Sequence, residues 1–144
     1  NKNLILVFTG INRTASEIAG KYVSTLDKKK ENQMKEIMSQ VDEGEKLLNK
    51  KRFDDFGKLL NESWLYKRSL SKIISNKRID DLYKHFIDNG ALGGKLLGAG
   101  GGGFMLFYFP YHDQKKFLKN NKNINVVPFK FTSNGSKIIF NENE

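Results

Sequence analysis

The sequence contains no cysteine and only two histidines and two prolines. Without cysteine the chain forms neither disulfide bonds nor thiolate metal sites, and a reducing, cytoplasmic location is the expectation. Two histidines, His85 and His112, are too few for a histidine-rich centre, so we predict no metal site within the chain. No apolar run approaches the roughly 20 residues that span a bilayer, so we expect no membrane partner.

Lysine and phenylalanine are abundant instead. The 144 residues are 38% hydrophobic and 12% aromatic, which is enough for one domain with its own core and too much for a disordered segment. Lysine and arginine give a formal net charge of +9. Because these residues occur as short pairs spread along the chain, we interpret most of them as solvated helix faces.

The order of apolar patterns predicts an α+β domain with an antiparallel sheet and helices packed on one face. Continuous apolar runs indicate strands, and the spacing of three or four residues indicates helices. The predicted elements, in chain order, are a strand at 4–8, a helix over 12–26, a helix with Met34, Ile37, Met38, Val41 and Leu48 on one face, a helix from Phe53 through Ile74, a helix over 79–87, strands on either side of a loop at 98–103, a helix over 112–121, and strands at 124–131 and 136–140.

Eight of the chain's 13 glycines lie between residues 90 and 110, and GAGGGG at 98–103 is the densest part. A flexible tether would have polar neighbours, whereas this loop joins two apolar runs whose ends we expect in the core. The dinucleotide fingerprint does not fit, because the segment after the loop does not begin a helix. The Walker loop does not fit either, because Gly94-Lys95 is followed by Leu96 and not by serine or threonine. Consecutive glycine N–H groups can converge on an anion, which predicts a phosphate site; a tight hairpin is the alternative.

The segment GKLLGAGGGG at 94–103 closely resembles the third motif of the GHMP small-molecule kinases, G-x-K-L-T-G-A-G-G-G-G in mevalonate kinases, with Leu97 where threonine is common. The turn FTGINRTA at 8–15 is similar to the T-x-x-P-R-S-T turn that begins the C-terminal half of mevalonate kinases, with Asn12 in place of proline. The segments 61–70, 79–83 and 90–94 are similar to heptose 7-phosphate kinases of surface-polysaccharide synthesis. The resemblance covers nearly the whole chain.

The resemblance implies the ferredoxin-like C-terminal domain of an ATP-dependent sugar kinase that phosphorylates the anomeric hydroxyl of heptose 7-phosphate with MgATP. The family's phosphate loop P-x-x-x-G-L-G-S-S is absent from the 144 residues. In the family that loop, the catalytic Asp and the acidic Mg²⁺ ligand belong to an N-terminal domain. Residues 1–144 are therefore expected to form one domain, a fragment without catalytic residues of its own that is inactive alone and works with the N-terminal domain of the same protein.

The resemblance also suggests roles for individual residues. The predicted backbone donors to the transferred phosphate are Gly98, Gly100, Gly101, Gly102 and Gly103, and Lys95 is a further candidate phosphate ligand. The candidates for binding the sugar phosphate are Arg13, Thr14, Trp64 and Lys67. The alternatives are solvent exposure for Arg13, Lys67 and Lys95, and a core position for Trp64.

Two other functions stay open from the sequence. The first is a nucleic-acid-binding domain, in which basic residues and the aromatic side chains of Tyr108, Phe109 and Tyr111 would hold a single strand. The basic residues do not gather along one strand, which argues against a nucleic-acid partner. The second is a regulatory domain that binds a small molecule on the same fold without catalysis, because a fold does not fix a function.

Overall fold

The computed structural model describes residues 2–14, 16, 18–20 and 28–140. Within these ranges the elements, in chain order, are β1 (Leu4–Phe8), α1 (Lys28–Asn49), α2 (Phe53–Ser69), α3 (Lys77–Asp88), β2 (Gly93–Leu96), β3 (Phe104–Tyr108), α4 (Tyr111–Asn120) and β4 (Val126–Val127). The helix predicted over 12–26 falls mostly outside the described residues. None of the described helices is both long and apolar enough to cross a membrane.

The four strands form one antiparallel sheet in the order β2-β3-β1-β4, which confirms the predicted fold class. Ile5 and Val7 of β1 lie opposite Phe107 and Met105 of β3, and all four side chains are buried. The alternate side chains of β1 lie on the other face of the sheet and are half-buried. The sheet therefore has one fully covered face.

Aromatic rings from three elements fill the core on the covered face. Phe86 of α3 stacks on Phe107 of β3 with ring centroids 3.9 Å apart and planes 7° apart. Phe117 of α4 packs edge-on against Phe86 at 4.8 Å, and Phe109 lies 5.0 Å from Phe117. Because such rings bury large apolar areas, they hold α3 and α4 against the sheet.

Helix α2 comes unusually close to the edge strand β2. A Cβ atom at Gly93 would lie 2.0 Å from the carbonyl oxygen of Gly57, and one at Gly57 would lie 2.6 Å from the Tyr108 ring. Only glycine fits at these two positions. Tyr83 then donates a hydrogen bond to Oδ1 of Asn61, which ties α3 to α2.

Three predicted elements differ from the structure, and the strand predicted at 124–131 is reduced to the two residues Val126–Val127 of β4. Helix α2 ends at Ser69, so its predicted continuation to Ile74 is wrong. Residues 70–76 form a turn in which Ile74 is fully buried, and Asn76 then caps α3 by accepting a hydrogen bond from the N–H of Ile79 at 3.1 Å. The predicted strand at 136–140 is also wrong, because that segment is exposed and pairs with no described strand.

Helix α1 forms where its periodicity predicts, but the predicted apolar face is largely exposed. Met38 and Val41 are 68% and 70% exposed, whereas Leu47 is buried. The described contacts of α1 are mainly with α2, so one side of the helix is covered. The sequence pattern identified the helix but not the surface that it buries.

Two glycine substitutions test the close approach of α2 to β2. Gly93→Ala is expected to lower the free energy of unfolding by about 3 kcal/mol or more, because the new methyl group meets backbone atoms that cannot move aside. Gly44→Ala in α1 is the matched control: its Cβ would meet Leu59 and Phe56 at ordinary distances of 3.5 and 3.6 Å. This control should raise the free energy of unfolding by about 0.5–1 kcal/mol, through helix propensity. Urea denaturation measures the free energy of unfolding of both variants. Equally small changes in the two would contradict the close packing of α2 against β2.

Candidate functional site

The glycine-rich loop between β2 and β3 is held by two other turns of the chain. The N–H of Gly101 donates to the carbonyl oxygen of Ile74 at 2.9 Å, and the N–H of Gly103 donates to that of Ile11 at 2.8 Å. The carbonyl oxygen of Gly103 accepts from both the backbone N–H and the hydroxyl of Thr9, each at 2.9 Å. The turn after β1 and the turn before α3 therefore meet at this loop.

The predicted role as phosphate donors does not fit all five glycines. Gly101 and Gly103 are corrected to structural positions, because their N–H groups are used within the protein. The N–H groups of Gly98, Gly100 and Gly102 have no hydrogen-bond partner among the described residues. Among the five glycines these three keep N–H groups without a described partner; Gly98 is exposed, whereas Gly100 and Gly102 are buried.

Backbone shape also explains why the loop is made of glycine. Gly98, Gly100, Gly101 and Gly103 all have positive φ, between 69° and 116°. Gly102 does not, but a Cβ there would lie 2.6 Å from the carbonyl oxygen of Ile11. The hairpin explanation and the anion-binding explanation therefore apply to the same loop, at different atoms.

Lys67 reaches the beginning of the loop from α2. Its Nζ donates to the carbonyl oxygen of Leu96 at 3.2 Å and to that of Gly98. Burial lowers the pKa of Lys67 to about 8, and the nearby charge of Lys95 adds to the effect. Lys67 thus binds two backbone carbonyl groups of the protein, one at the end of β2 and one at the beginning of the loop.

Lys95 lies in β2, beside α2 rather than at the loop. Its Nζ donates to the hydroxyl of Ser63 at 2.9 Å, and burial lowers its pKa. Its side chain lines the groove between α1 and α2, together with apolar residues such as Leu48 and Phe56. The structure therefore does not bring Lys95 together with the loop N–H groups as a phosphate ligand.

The predicted substrate residues fall into two groups. Arg13 and Thr14 are exposed and follow the turn that holds the loop. Arg13 makes no hydrogen bond or ion pair within the described part of the chain. Trp64 is 0% exposed and lies 6.2 Å from the Tyr83 ring, so its predicted contact with a sugar is corrected to a core position.

The sequence analysis missed Arg78, in the first turn of α3. Its guanidinium lies against Gly10, where a Cβ would be 2.4 Å from Nη2. The general interpretation of basic pairs as solvated helix faces does not describe Arg78, whose neighbour Lys77 is exposed and pairs with Asp81 at 3.0 Å. Only the fold brings Gly10 and Arg78 together, so no local pattern signals the contact.

The aromatic residues that would support nucleic-acid binding are mostly inaccessible. Tyr108 and Phe109 are 3% and 0% exposed. Tyr111 is half-exposed, and Lys2 and Lys115 lie over its ring at 5.9 Å each. Two of the three aromatic residues predicted to hold a single strand are thus buried and cannot stack on a base. The described residues also contain no group of three or more histidine, aspartate or glutamate side chains that could hold a metal ion.

Comparison with known proteins gives the family. Residues 45–123 match the family model described as GHMP kinases C terminal. The chain belongs to the GHMP kinase family. The matched range includes the turn before α3 and the whole glycine loop, so the GHMP kinase motif and the hydrogen-bonded loop are the same segment.

The relatives of this GHMP kinase domain are longer proteins. It is 34% identical over 136 residues to D-glycero-alpha-D-manno-heptose 7-phosphate kinase of Campylobacter jejuni, which covers 92% of this chain and 40% of that protein. It is 30% identical to the bifunctional fucokinase/GDP-fucose pyrophosphorylase of Arabidopsis thaliana, over 82% of this chain and 11% of that protein. The crystal structure of Methanococcus jannaschii mevalonate kinase superposes with a TM-score of 0.69 at 27% identity, over 86% of this chain and 37% of that one. The chain thus spans less than half the length of each.

The lowered pKa of Lys67 gives a prediction for its titration. In a chain with ¹³C-labelled lysine, one side-chain resonance should titrate near pH 8, far below the ordinary 10.5, and should be absent from Lys67→Arg. Lys95→Met should move that midpoint upward, because it removes a neighbouring positive charge.

The same shift affects stability with a definite sign. The folded pKa lies below the unfolded one, so the native state binds fewer protons between about pH 8 and 10.5. The wild-type chain should therefore gain stability relative to Lys67→Met as pH rises through that window. A midpoint for Lys67 equal to that of the other lysines, or a constant stability difference, would contradict the assigned burial.

Proposed function

We propose that this domain is the C-terminal half of an ATP-dependent sugar kinase that phosphorylates the anomeric hydroxyl of heptose 7-phosphate, for making a precursor of surface polysaccharide. The observation that carries the proposal is the loop: three unpartnered glycine N–H groups sit in a backbone that neighbouring turns hold rigid. The 34% identity to a heptose 7-phosphate kinase supports the choice of sugar.

The loop fits the phosphates of ATP by its chemistry. Phosphoryl transfer depends mainly on positioning and on stabilising charge, and the N–H groups of Gly98, Gly100 and Gly102 would donate to phosphate oxygens. ATP supplies the phosphoryl group: its bond to the bridging oxygen breaks, and a bond to the sugar hydroxyl oxygen forms. Arg13, exposed beside the loop, would approach a phosphate of the sugar.

The remaining parts of the reaction would come from the N-terminal half of the same protein. The described residues hold no cluster of acidic side chains for Mg²⁺. We therefore assign the metal ligands and the base that accepts the hydroxyl proton to that half, and we expect the 144 residues alone to be inactive. Because ATP is a cytoplasmic substrate, a cytoplasmic location belongs to the same proposal.

The test is an ADP-release assay with MgATP. It is run on the longer protein that is expressed when the coding sequence upstream of Asn1 is included. Heptose 7-phosphate should give turnover well above that of other sugars and sugar phosphates, and the 144-residue chain should give none. Gly100→Ala, which places a Cβ 3.0 Å from the Ile74 backbone at a φ of +116°, should lower kcat by about 10²-fold through misplaced donors.

Gly44→Ala is the control for that variant, since Gly44 lies in α1 away from the loop. A folded longer protein that releases no ADP with any of the sugars or sugar phosphates tested would refute the kinase proposal. Full activity in Gly100→Ala would refute the role of the loop while leaving the kinase assignment in place.

A further inference from the structure

We propose that the pocket around Arg78, next to the glycine loop but outside it, binds a phosphate monoester group. The pocket opens between α3, the end of β1 and the segment that leads from α4 to β4. The polar residues that line it are Thr9, Arg78, His85, Asn121, Asn123 and Asn125. Its described lining contains no carboxylate, and Arg78 gives it a positive charge.

The charge of Arg78 is not compensated within the described part of the protein. Arg52 is paired with Asp55 at 2.7 Å and Arg68 with Asp80 at 3.1 Å, whereas Arg78 has no such partner. The acidic residues nearest in sequence, Asp80 and Asp81, are held by other cations. A guanidinium without a carboxylate is suited to a phosphate, which it can grip with two parallel hydrogen bonds.

The guanidinium of Arg78 lies close to Gly10. A side chain at residue 10 would overlap the guanidinium, since its Cβ would lie 2.4 Å from Nη2 and 3.1 Å from Cζ. The guanidinium therefore rests across the turn after β1. Thr9, in the same turn, holds the carbonyl oxygen of Gly103 with two hydrogen bonds. Thr9 consequently lines the pocket and also contacts the glycine loop.

The opposite wall supplies further donors. Nδ2 of Asn121 donates to the carbonyl oxygen of Phe117 at 2.8 Å, so its Oδ1 accepts from Nε2 of His85, also at 2.8 Å. This bond orients the imidazole at the pocket. The side-chain amides of Asn123 and Asn125 make no hydrogen bond to any described residue and are exposed. Amide N–H groups beside a free guanidinium complete a set of donors for phosphate oxygens.

A phosphate monoester here has two possible sources. One is the phosphate that the sugar substrate already carries, and this case rests on the proposed function. The other is a separate phosphorylated effector, which does not. Both require the same chemistry at Arg78, so one binding experiment tests the pocket and a kinetic one separates the sources.

Binding is tested on the ¹⁵N-labelled 144-residue chain, titrated with inorganic phosphate and followed by amide chemical shifts. Saturable shifts are expected at Gly10, Arg78 and Asn125. Arg78→Gln should weaken binding by about tenfold or more, and Arg78→Lys should weaken it less, because it keeps the charge but loses the paired geometry. The control is Arg52→Gln. It removes the same charge from an exposed arginine directly before α2, and this variant should bind phosphate as the wild type does.

The outcomes separate clearly. Shifts that do not saturate, or that are the same in Arg78→Gln and wild type while the spectrum shows a folded chain, would overturn the proposal. In the longer protein, a higher KM for heptose 7-phosphate in Arg78→Gln, with an unchanged KM for unphosphorylated heptose, would identify the substrate's phosphate as the ligand. Phosphate binding that needs Arg78 without that change would identify an effector. Absence of kinase activity would remove the proposed function but not the binding result.

Discussion

The fold of the site depends on two backbone hydrogen bonds, from Gly101 to Ile74 and from Gly103 to Ile11. Each joins the loop to a turn that is distant in sequence, and each forms only because glycine allows positive φ at residues 101 and 103. A single such bond contributes about 0.5–1.5 kcal/mol, but leaving its buried groups unpaired costs more. The loop, the turn after β1 and the turn before α3 are therefore fixed as one unit.

Within that unit, neighbouring glycines use their N–H groups differently. Alternate N–H groups hold the loop in place, and those of Gly98, Gly100 and Gly102 have no partner in the described structure. Donors that are fixed before a ligand arrives need no rearrangement to stabilise charge. Lys67 holds carbonyl groups at the end of β2 and the beginning of the loop, Arg13 follows the turn after β1, and Arg78 lies in the first turn of α3. Cations without carboxylate partners around one loop favour an anionic ligand.

Local patterns were enough to predict β1, β3, α3 and α4, because the two strands are continuous apolar runs and the two helices keep a regular apolar spacing. They failed where tertiary contacts decide. Ile74 continues the helical period of α2 but lies in a turn, where its carbonyl oxygen receives Gly101. Trp64 looks equally suited to a sugar or to the core until its burial is known. The contact between Arg78 and Gly10 is visible only in the fold, because the two residues are far apart in the sequence.

The most direct test of this account is amide hydrogen exchange along the loop under native conditions. If the two bonds fix the loop, the amides of Gly101 and Gly103 should exchange slower than that of exposed Gly98 by about 10³-fold or more, because they open only with larger unfolding. Equally fast exchange at Gly98, Gly101 and Gly103 would mean that the loop moves freely. The preformed set of phosphate donors, which is the central claim, would then be wrong.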